Sequence, residues 1–357
     1  MKKAICFIVF TILVIGIGGC GIKNKYEPVS KPILENFSKV EMETLLQDAS
    51  LNVRAIDINE GNVVAATSNG EIYRSILEDM NNFEEANYFS ELEDSIKNNF
   101  RSIAFQADKT FSLSIASPAR LYNEGELVYQ ENHPKVFYDA LDFWNDQEGI
   151  AIGDPTDDCM SIIITRDGGN TWSKISCNDL PKAKVGEAAF AASDTNIAIV
   201  GNKTWVATGG KASRILFSPD KGKTWEVFET PIIQGLETTG IYSVAFYDED
   251  NGFAIGGDYT KAADSSANKI RTQDGGKTWQ LVAPNKSPGY RSCVQYMPNS
   301  SARVLVAVGF KGIDISNDAG NTWKHLSDEG FYTLRFLNDS IAYAAGAGRI
   351  SKLSFKE

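Results

Sequence analysis

Seven residues bring together the side-chain types that chemistry at a single site would need: Arg54, Arg101, Asp139, Glu187, Tyr242, Tyr290 and Arg291. Each lies at the start of a short stretch that alternates apolar and polar residues and then runs into small ones, the pattern of strands packed closely side by side. Three guanidiniums can hold an anion bidentately, and two phenols can stack on a ring. The carboxyl groups of Asp139 and Glu187 are the types a glycoside hydrolase uses as acid and base. Two readings fit this set. In one, Arg291, Arg54 and Arg101 form a basic arc opposite the acidic Asp139 and Glu187, and the ring receives a zwitterionic or anionic ligand, or a protein loop bearing both charges. In the other, the charges satisfy one another and the strand ends.

The elements that would hold these residues repeat. Arg54 to Ile58, Ser102 to Phe105, Ala140 to Phe143, Ala188 to Phe190, Ser243 to Phe246, Ser292 to Tyr296 and Thr333 to Leu337 are each an alternating strand, and each is followed by a small-residue strand. Four of the units also carry the frame [ST]-x-D-x-G-x-T-W, at 165–172, 218–225, 272–279 and 316–323. Successive tryptophans, Trp172, Trp225, Trp279 and Trp323, lie 53, 54 and 44 residues apart, a period that suits a four-stranded blade. Asp167, Asp220, Asp274 and Asp318 can accept backbone N–H bonds inside a turn. Gly169, Gly222, Gly276 and Gly320 supply positive φ, and each tryptophan leads the next strand into an apolar slot. Four aspartates at separated turns predict a structural clasp and not a catalytic cluster.

The predicted fold is therefore all-β, a seven-bladed β-propeller of four-stranded antiparallel blades. The last blade ends at Arg349 to Phe355, one strand short, and the strand-like segment Val40 to Leu46 is predicted to complete it, closing the ring and hiding its edge. The acidic, Asn-rich segment 78–99 reads as an outer strand with a solvated loop. Asp154 and Asp258, with Lys203, Lys211 and Lys261, are expected on the opposite or outer rim.

The first residues bound the location. Lys2 and Lys3, an apolar run from Ala4 to Ile17 and then Gly18, Gly19 and Cys20 read as a secretory leader ending in a lipobox-like site. The expected division is a signal peptide over 1–19, lipidation at Cys20, a tether over 20–39 and one propeller domain over 40–357. This places the protein in the cell envelope, membrane-anchored and facing the periplasm or exterior. Of 35 Lys and Arg, the leader removes two, leaving 33 against 46 Asp and Glu, a net charge of −13, which disfavours nucleic acid as a partner. Cys159 and Cys177 are equidistant from Gly168 at a hairpin turn, and either bridge as a disulfide in an oxidising compartment or remain as two half-buried thiols. Cys293 reads as a buried small residue, since His133 and His325 offer it no evident partner. No dinucleotide fingerprint, phosphate loop, CxxC or HExxH occurs, so neither a cofactor nor a metal is expected.

The ordered segments YDALDFWNDQEGIAIGDP, TRDGGNTW, EAAFAAS, TGGKASRILFSPDKGKTW, GGDY, GYRSCVQY and VAVGFKGIDISNDAGNTW resemble bacterial BNR/Asp-box propellers, a WD40/YVTN/BNR-like group related to photosystem II assembly and stability factors. The resemblance spans roughly residues 45 to 355. It implies a binding protein for partly assembled membrane complexes that uses an arginine patch, here carried to Arg54, Arg101 and Arg291. It implies no catalytic set, and an acidic chain with few arginines does not imply a photosystem partner. The expected function is thus an envelope lipoprotein, a monomer that recognises a protein or glycan. The alternative is a sialidase-like glycoside hydrolase or lyase, although the arginine motif that opens sialidases is absent.

Overall fold

A computed structural model describes residues 36–59, 61–76, 83–86 and 98–357. The leader, Cys20, the tether up to residue 35 and most of the acidic segment 78–99 lie outside these residues. Apart from one short turn of helix at Tyr259–Lys261, the ordered elements are strands.

Four sheets contain four antiparallel strands each, built in chain order from Phe100–Gln106 to Glu126–Glu131, Tyr138–Asn145 to Ser173–Lys174, Ile197–Val200 to Glu226–Glu229 and Cys293–Tyr296 to Lys324–Ser327. A fifth holds Thr239–Phe246, Gly252–Asp258, Lys269–Thr272 and Gln280–Leu281, extended by the two-residue strands Glu187–Ala188 and Gly209–Gly210. The sixth joins Thr333–Phe336 and Ile341–Lys356 to Lys39–Asn59, Asn62–Thr67, Ile72–Ile76 and Glu84–Glu85. The described residues thus form six sheets where seven blades were expected. The cause is the 21-residue strand Lys39–Asn59. Its first half pairs with the chain's last strand, Val40 opposite Phe355 and Leu46 opposite Ile350. Its second half pairs with Asn62–Thr67, so one ladder fuses the first and last repeats.

Apolar clusters fill the seams between successive sheets. Ile103 and Phe105 pack on Ala55 and Val64, Leu141 and Ile163 on Phe111 and Leu121, and Val206 and Leu216 on Ile150 and Ile162. Ala254 and Ile270 pack on Trp205 and Ile215, Val294 and Leu305 on Phe253 and Ile255, and Leu334 and Ala344 on Val306 and Ile315. Tyr343, Ala345 and Ile350 then meet Val53, Val63 and Ala65, so the core returns to where it began. Burying these side chains supplies the main driving force, about 25 cal/mol per Å² of apolar surface removed from water.

The four boxes share one hydrogen-bond pattern. Asp167 accepts from the Thr171 backbone N–H at 2.9 Å and from its hydroxyl at 2.7 Å, and Asp220, Asp274 and Asp318 do the same with Thr224, Thr278 and Thr322. Each tryptophan Nε1–H donates to the glycine carbonyl three residues earlier. The first residue of each box accepts the glycine N–H on its hydroxyl, as Thr165 does from Gly169 at 2.9 Å. The glycines have φ between 77° and 87°, and each lies where the preceding sheet presses in. A Cβ on Gly169 would strike Phe111, and one on Gly320 would strike Phe253.

One predicted element is absent. Ala188–Phe190 does not form an inner strand. Its sheet begins instead at Ile197, and residues 190–196 cross the axis as a plug. Asp194 carboxylate oxygens accept from the N–H groups of Ile103 at 2.9 Å and Leu141 at 3.1 Å. Val244 N–H donates to the Thr195 carbonyl, Ser193 Oγ donates to the Ser292 carbonyl at 2.6 Å, and Thr333 Oγ1 donates to the Ser193 carbonyl at 2.8 Å. Arg54 and Arg335 donate to the carbonyls of Ala192 and Asp194. The plug is irregular because its backbone and side-chain bonds go to six surrounding inner segments and not to one neighbouring strand.

Candidate functional site

Above the plug lies a cup of about 440 Å³, lined by Arg54, Arg101, Asp154, Ala188–Ala192, Tyr242, Tyr290 and further aromatic rings. Its floor is the plug. Its wall on one side is an aromatic arc. Tyr242 stacks flat on Phe190 with ring centres 3.9 Å apart and meets Tyr290 edge-on at 4.8 Å. Tyr290 packs on Phe310 at 5.5 Å, and Tyr259 meets Tyr242 and Tyr290, each at 6.4 Å. Burial raises both Tyr242 and Tyr290 above the usual phenol range, so they remain protonated as stacking and donor groups.

Two arginines form the opposite wall. The Arg54 guanidinium lies 3.9 Å above the centre of the Tyr332 ring, and Arg101 donates to Asn99 Oδ1 at 3.0 Å and to the Ala191 carbonyl at 3.2 Å. Burial, reinforced by the like charge of Arg54, lowers Arg101 to about 10. Among the described residues, neither arginine forms an ion pair with a carboxylate. Asp154 and Glu237 also line the cup; Asp154 Oδ1 accepts from the Ala189 N–H at 2.8 Å, and burial raises it to about 6. Asp139 is fully buried nearby, and burial, together with the Asp154 charge, moves its carboxyl well above the ordinary range.

The remaining two expected residues are engaged elsewhere. Glu187 accepts from Arg214 Nε at 3.0 Å and Nη2 at 2.6 Å, from Thr208 Oγ1 at 2.7 Å and from the Lys184 N–H at 2.8 Å. Arg291 is clamped on Asp314, with its Nε at 2.7 Å and its Nη1 on the Tyr290 carbonyl at 2.7 Å. Asp314 also meets His325 Nδ1 at 3.1 Å. Tyr290 and Arg291 are adjacent, just before the strand Cys293–Tyr296, yet Tyr290 lines the cup while the Arg291 guanidinium is held on Asp314. The acid pair Asp139 and Glu187 is therefore not presented to the cup. Asp154, expected on another rim, is in the cup instead. Asp258 turns back to Thr260, accepting its hydroxyl at 2.6 Å.

The fold resembles solved structures. YCF48 bound to a D1 peptide is similar with a TM-score of 0.62 at 13% identity, covering 93% of this chain and 100% of that one. YCF48 from Cyanidioschyzon merolae gives 0.63 at 11%, covering 88% and 98%. A GH74 xyloglucanase from Xanthomonas campestris gives 0.60 at 13%, covering 87% of this chain and 53% of the enzyme. The fold is a β-propeller. No protein-family model and no curated protein matches the sequence, and identities this low carry the propeller architecture alone.

Below the plug, a smaller chamber of about 250 Å³ is lined by Asp57, Asp142, Asp194, Gln295 and Arg335 among others. Asp57 accepts from the Phe105 N–H at 2.8 Å and Asp142 from the Phe143 N–H at 2.7 Å. Burial raises Asp142 to about 7, with the Asp57 charge adding to the effect. No group of three or more metal-ligating side chains is arranged for a metal among the described residues. Cys159 and Cys177 form a disulfide, their Cα atoms 5.4 Å apart. Cys293 is buried against the plug, its Sγ 3.8 Å from the Leu334 carbonyl.

The cup residues that the sequence reading missed include Phe137, Asp154, Phe190, Glu237, Tyr259, Phe310 and Tyr332. One had a signal: Tyr332 directly precedes Thr333–Phe336, the position that selected Tyr242 in its own repeat.

Proposed function

We propose that the protein is an exported, lipid-anchored binding propeller whose cup recognises the anionic group of a protein or glycan partner. One observation carries this reading: Arg54 and Arg101 stand together in a partly desolvated, aromatic-walled cup, and among the described residues neither is ion-paired with a carboxylate. Two like charges held close are costly unless a ligand brings the opposite charge, and that cost is recovered on binding. Stacking on Tyr242, Tyr259, Tyr290 and Phe310 adds apolar area and orientation. Neighbouring propellers include one bound to a peptide and one that is a xyloglucanase, so both partner classes are known on this architecture. The reading assigns no catalytic residue and no cofactor.

The same proposal takes the fused sheet as two blades, giving seven modules with the ring closed by strand 40–46. The Phe355 N–H on the Ser340 carbonyl supports a hairpin within Ile341–Lys356. It also takes 1–19 as a leader, Cys20 as the lipidated residue and the following segment as a tether to the envelope membrane. A Cys20→Ser variant should lose both metabolic palmitate labelling and membrane fractionation.

The binding test is a thermal-shift titration of the purified protein with glutamate-containing tripeptides and with galacturonate oligomers. A saturable rise in Tm with either, lost in Arg54→Ala/Arg101→Ala, supports the reading. A rise that survives the double substitution refutes it.

A second reading, a glycoside hydrolase or lyase, rests on Asp154, whose rise to about 6 is suited to a general acid. It requires an opposing carboxylate within roughly 5–10 Å of the same sugar. Hydrolysis of any polysaccharide that Asp154→Asn abolishes without weakening binding would establish it.

A further inference from the structure

The cup does not end at the axis. A second depression of about 500 Å³ is lined by Lys135, Asp154, Pro155, Asp157 and Asp158 on one side and Ala183–Ala188 on the other. It shares Asp154 and Ala188 with the cup. The two spaces therefore adjoin at Asp154 and Ala188, and together they outline a trough from the cup toward residues 183–187.

The outer wall of this trough is held in place before any ligand arrives. Residues 182–187 contain no long strand, yet their backbone is tied at several points. The Lys182 carbonyl accepts from Arg214 Nη2 at 2.8 Å, the Lys184 N–H donates to Glu187 at 2.8 Å, and the Gly186 carbonyl accepts from the Lys211 N–H at 2.8 Å. Lys182 pairs with Cys159 in an isolated bridge, and Cys159 is disulfide-bonded to Cys177. A wall fixed in this way loses little conformational entropy on binding. At its lip stands Val185, 93% exposed, while Tyr259 and Phe310 are 48% and 40% exposed across the cup.

We infer that the trough takes an extended polypeptide segment, with an acidic side chain seated between Arg54 and Arg101 and the following residues running past Asp154 and Val185. The inference rests on the cup being a binding site, and it adds the class and path of the partner. The chemistry changes along the path, and that change selects the class. The inner end is basic and aromatic; the middle has Asp154 and the exposed Asp157 beside Lys135; the outer lip carries the exposed Val185 next to Lys184. A polysaccharide offers nearly the same surface at every repeat, whereas a polypeptide can place an acid, a base and an apolar side chain in that order. Charge complementarity therefore places an acidic residue in the cup and a basic one beside Asp154 and Asp157.

The test pans a displayed library of random nonapeptides on the purified protein and measures selected, fluorescently labelled peptides by anisotropy. The expected result is enrichment of an acidic residue with a basic and then an apolar residue at fixed spacing. Affinity should fall about tenfold or more in Arg54→Ala/Arg101→Ala and about threefold or more in Val185→Asp. Because Arg54 and Arg101 also touch the plug, Arg101→Lys and wild type at high salt serve as second perturbations, and both should weaken binding without changing Tm. Failure to enrich any peptide, with galacturonate oligomers binding the cup, overturns the polypeptide inference and leaves the cup reading standing. Peptides sensitive to the arginines but indifferent to Val185→Asp and Lys135→Glu overturn the path. Peptides indifferent to the arginines overturn the cup reading itself.

Discussion

Replacing Glu187 should destabilise the fold strongly, because its carboxylate is the counter-charge of a buried arginine. Its carboxylate is fully buried and accepts from four donors: two on Arg214, the Thr208 hydroxyl and the Lys184 N–H. Arg214 is itself almost completely buried, and its remaining bond is to the Lys182 carbonyl. In Glu187→Ala the guanidinium stays in the interior without its counter-charge. Breaking a buried pair in this way costs about 3–5 kcal/mol. For a domain of this size each kcal/mol moves Tm by roughly 2 °C, so the expected fall is about 6–10 °C. Glu187→Gln keeps the shape and one acceptor oxygen and should fall by less. The assay is urea unfolding followed by tryptophan fluorescence, with calorimetry alongside. A double substitution, Glu187→Leu with Arg214→Met, should recover much of the loss because it removes both charges together. A loss below about 1 kcal/mol in Glu187→Ala would refute the reasoning and reopen an active role for this carboxylate.

Three further outcomes follow from the geometry. Asp142, raised to about 7 by burial, binds a proton more tightly folded than unfolded, so stability falls as pH rises from about 4 through 7. Asp142→Asn should therefore gain on the order of 2–4 kcal/mol at pH 8 and nothing at pH 4, as read by unfolding curves at the two values. Asp154, raised to about 6, places a negative charge in the cup once ionised, so affinity for an anionic ligand should weaken through pH 6, and the dependence should vanish in Asp154→Asn by calorimetric titration. Gly320→Ala combines a φ of 85° with a clash against the Phe253 ring and should cost on the order of 2–4 kcal/mol in chemical denaturation.

The clasp turns were legible because their chemistry is local: Asp318 accepts from Thr322 and the Gly320 N–H donates to Ser316, all within seven residues. The role of the leading hydroxyl, Ser316 or Thr165, was not read, although it too is local. For the cup, position before an inner strand selected Arg54, Arg101, Tyr242 and Tyr290 together, and the same rule erred at Arg291. Its partner Asp314 lies 23 residues on. Glu187 was misread for the same reason, its partner Arg214 being 27 residues away. The plug was beyond local reasoning. Its sequence AASDTN has no strand period, and what fixes it are donors and acceptors up to 141 residues distant.

That plug makes the ring resemble a spoked wheel more than a hollow band. An open toroid can breathe by letting two adjacent blades slide apart, since each touches only its neighbours. Here Ile103, Leu141, Val244, Ser292 and Thr333 are all bonded to a single hub. Loosening one blade means losing hub bonds that constrain the rest. The amide protons of Ile103, Leu141 and Val244 should then exchange with solvent only when the whole molecule unfolds, and the floor of the cup should be the least mobile surface the protein offers to a partner.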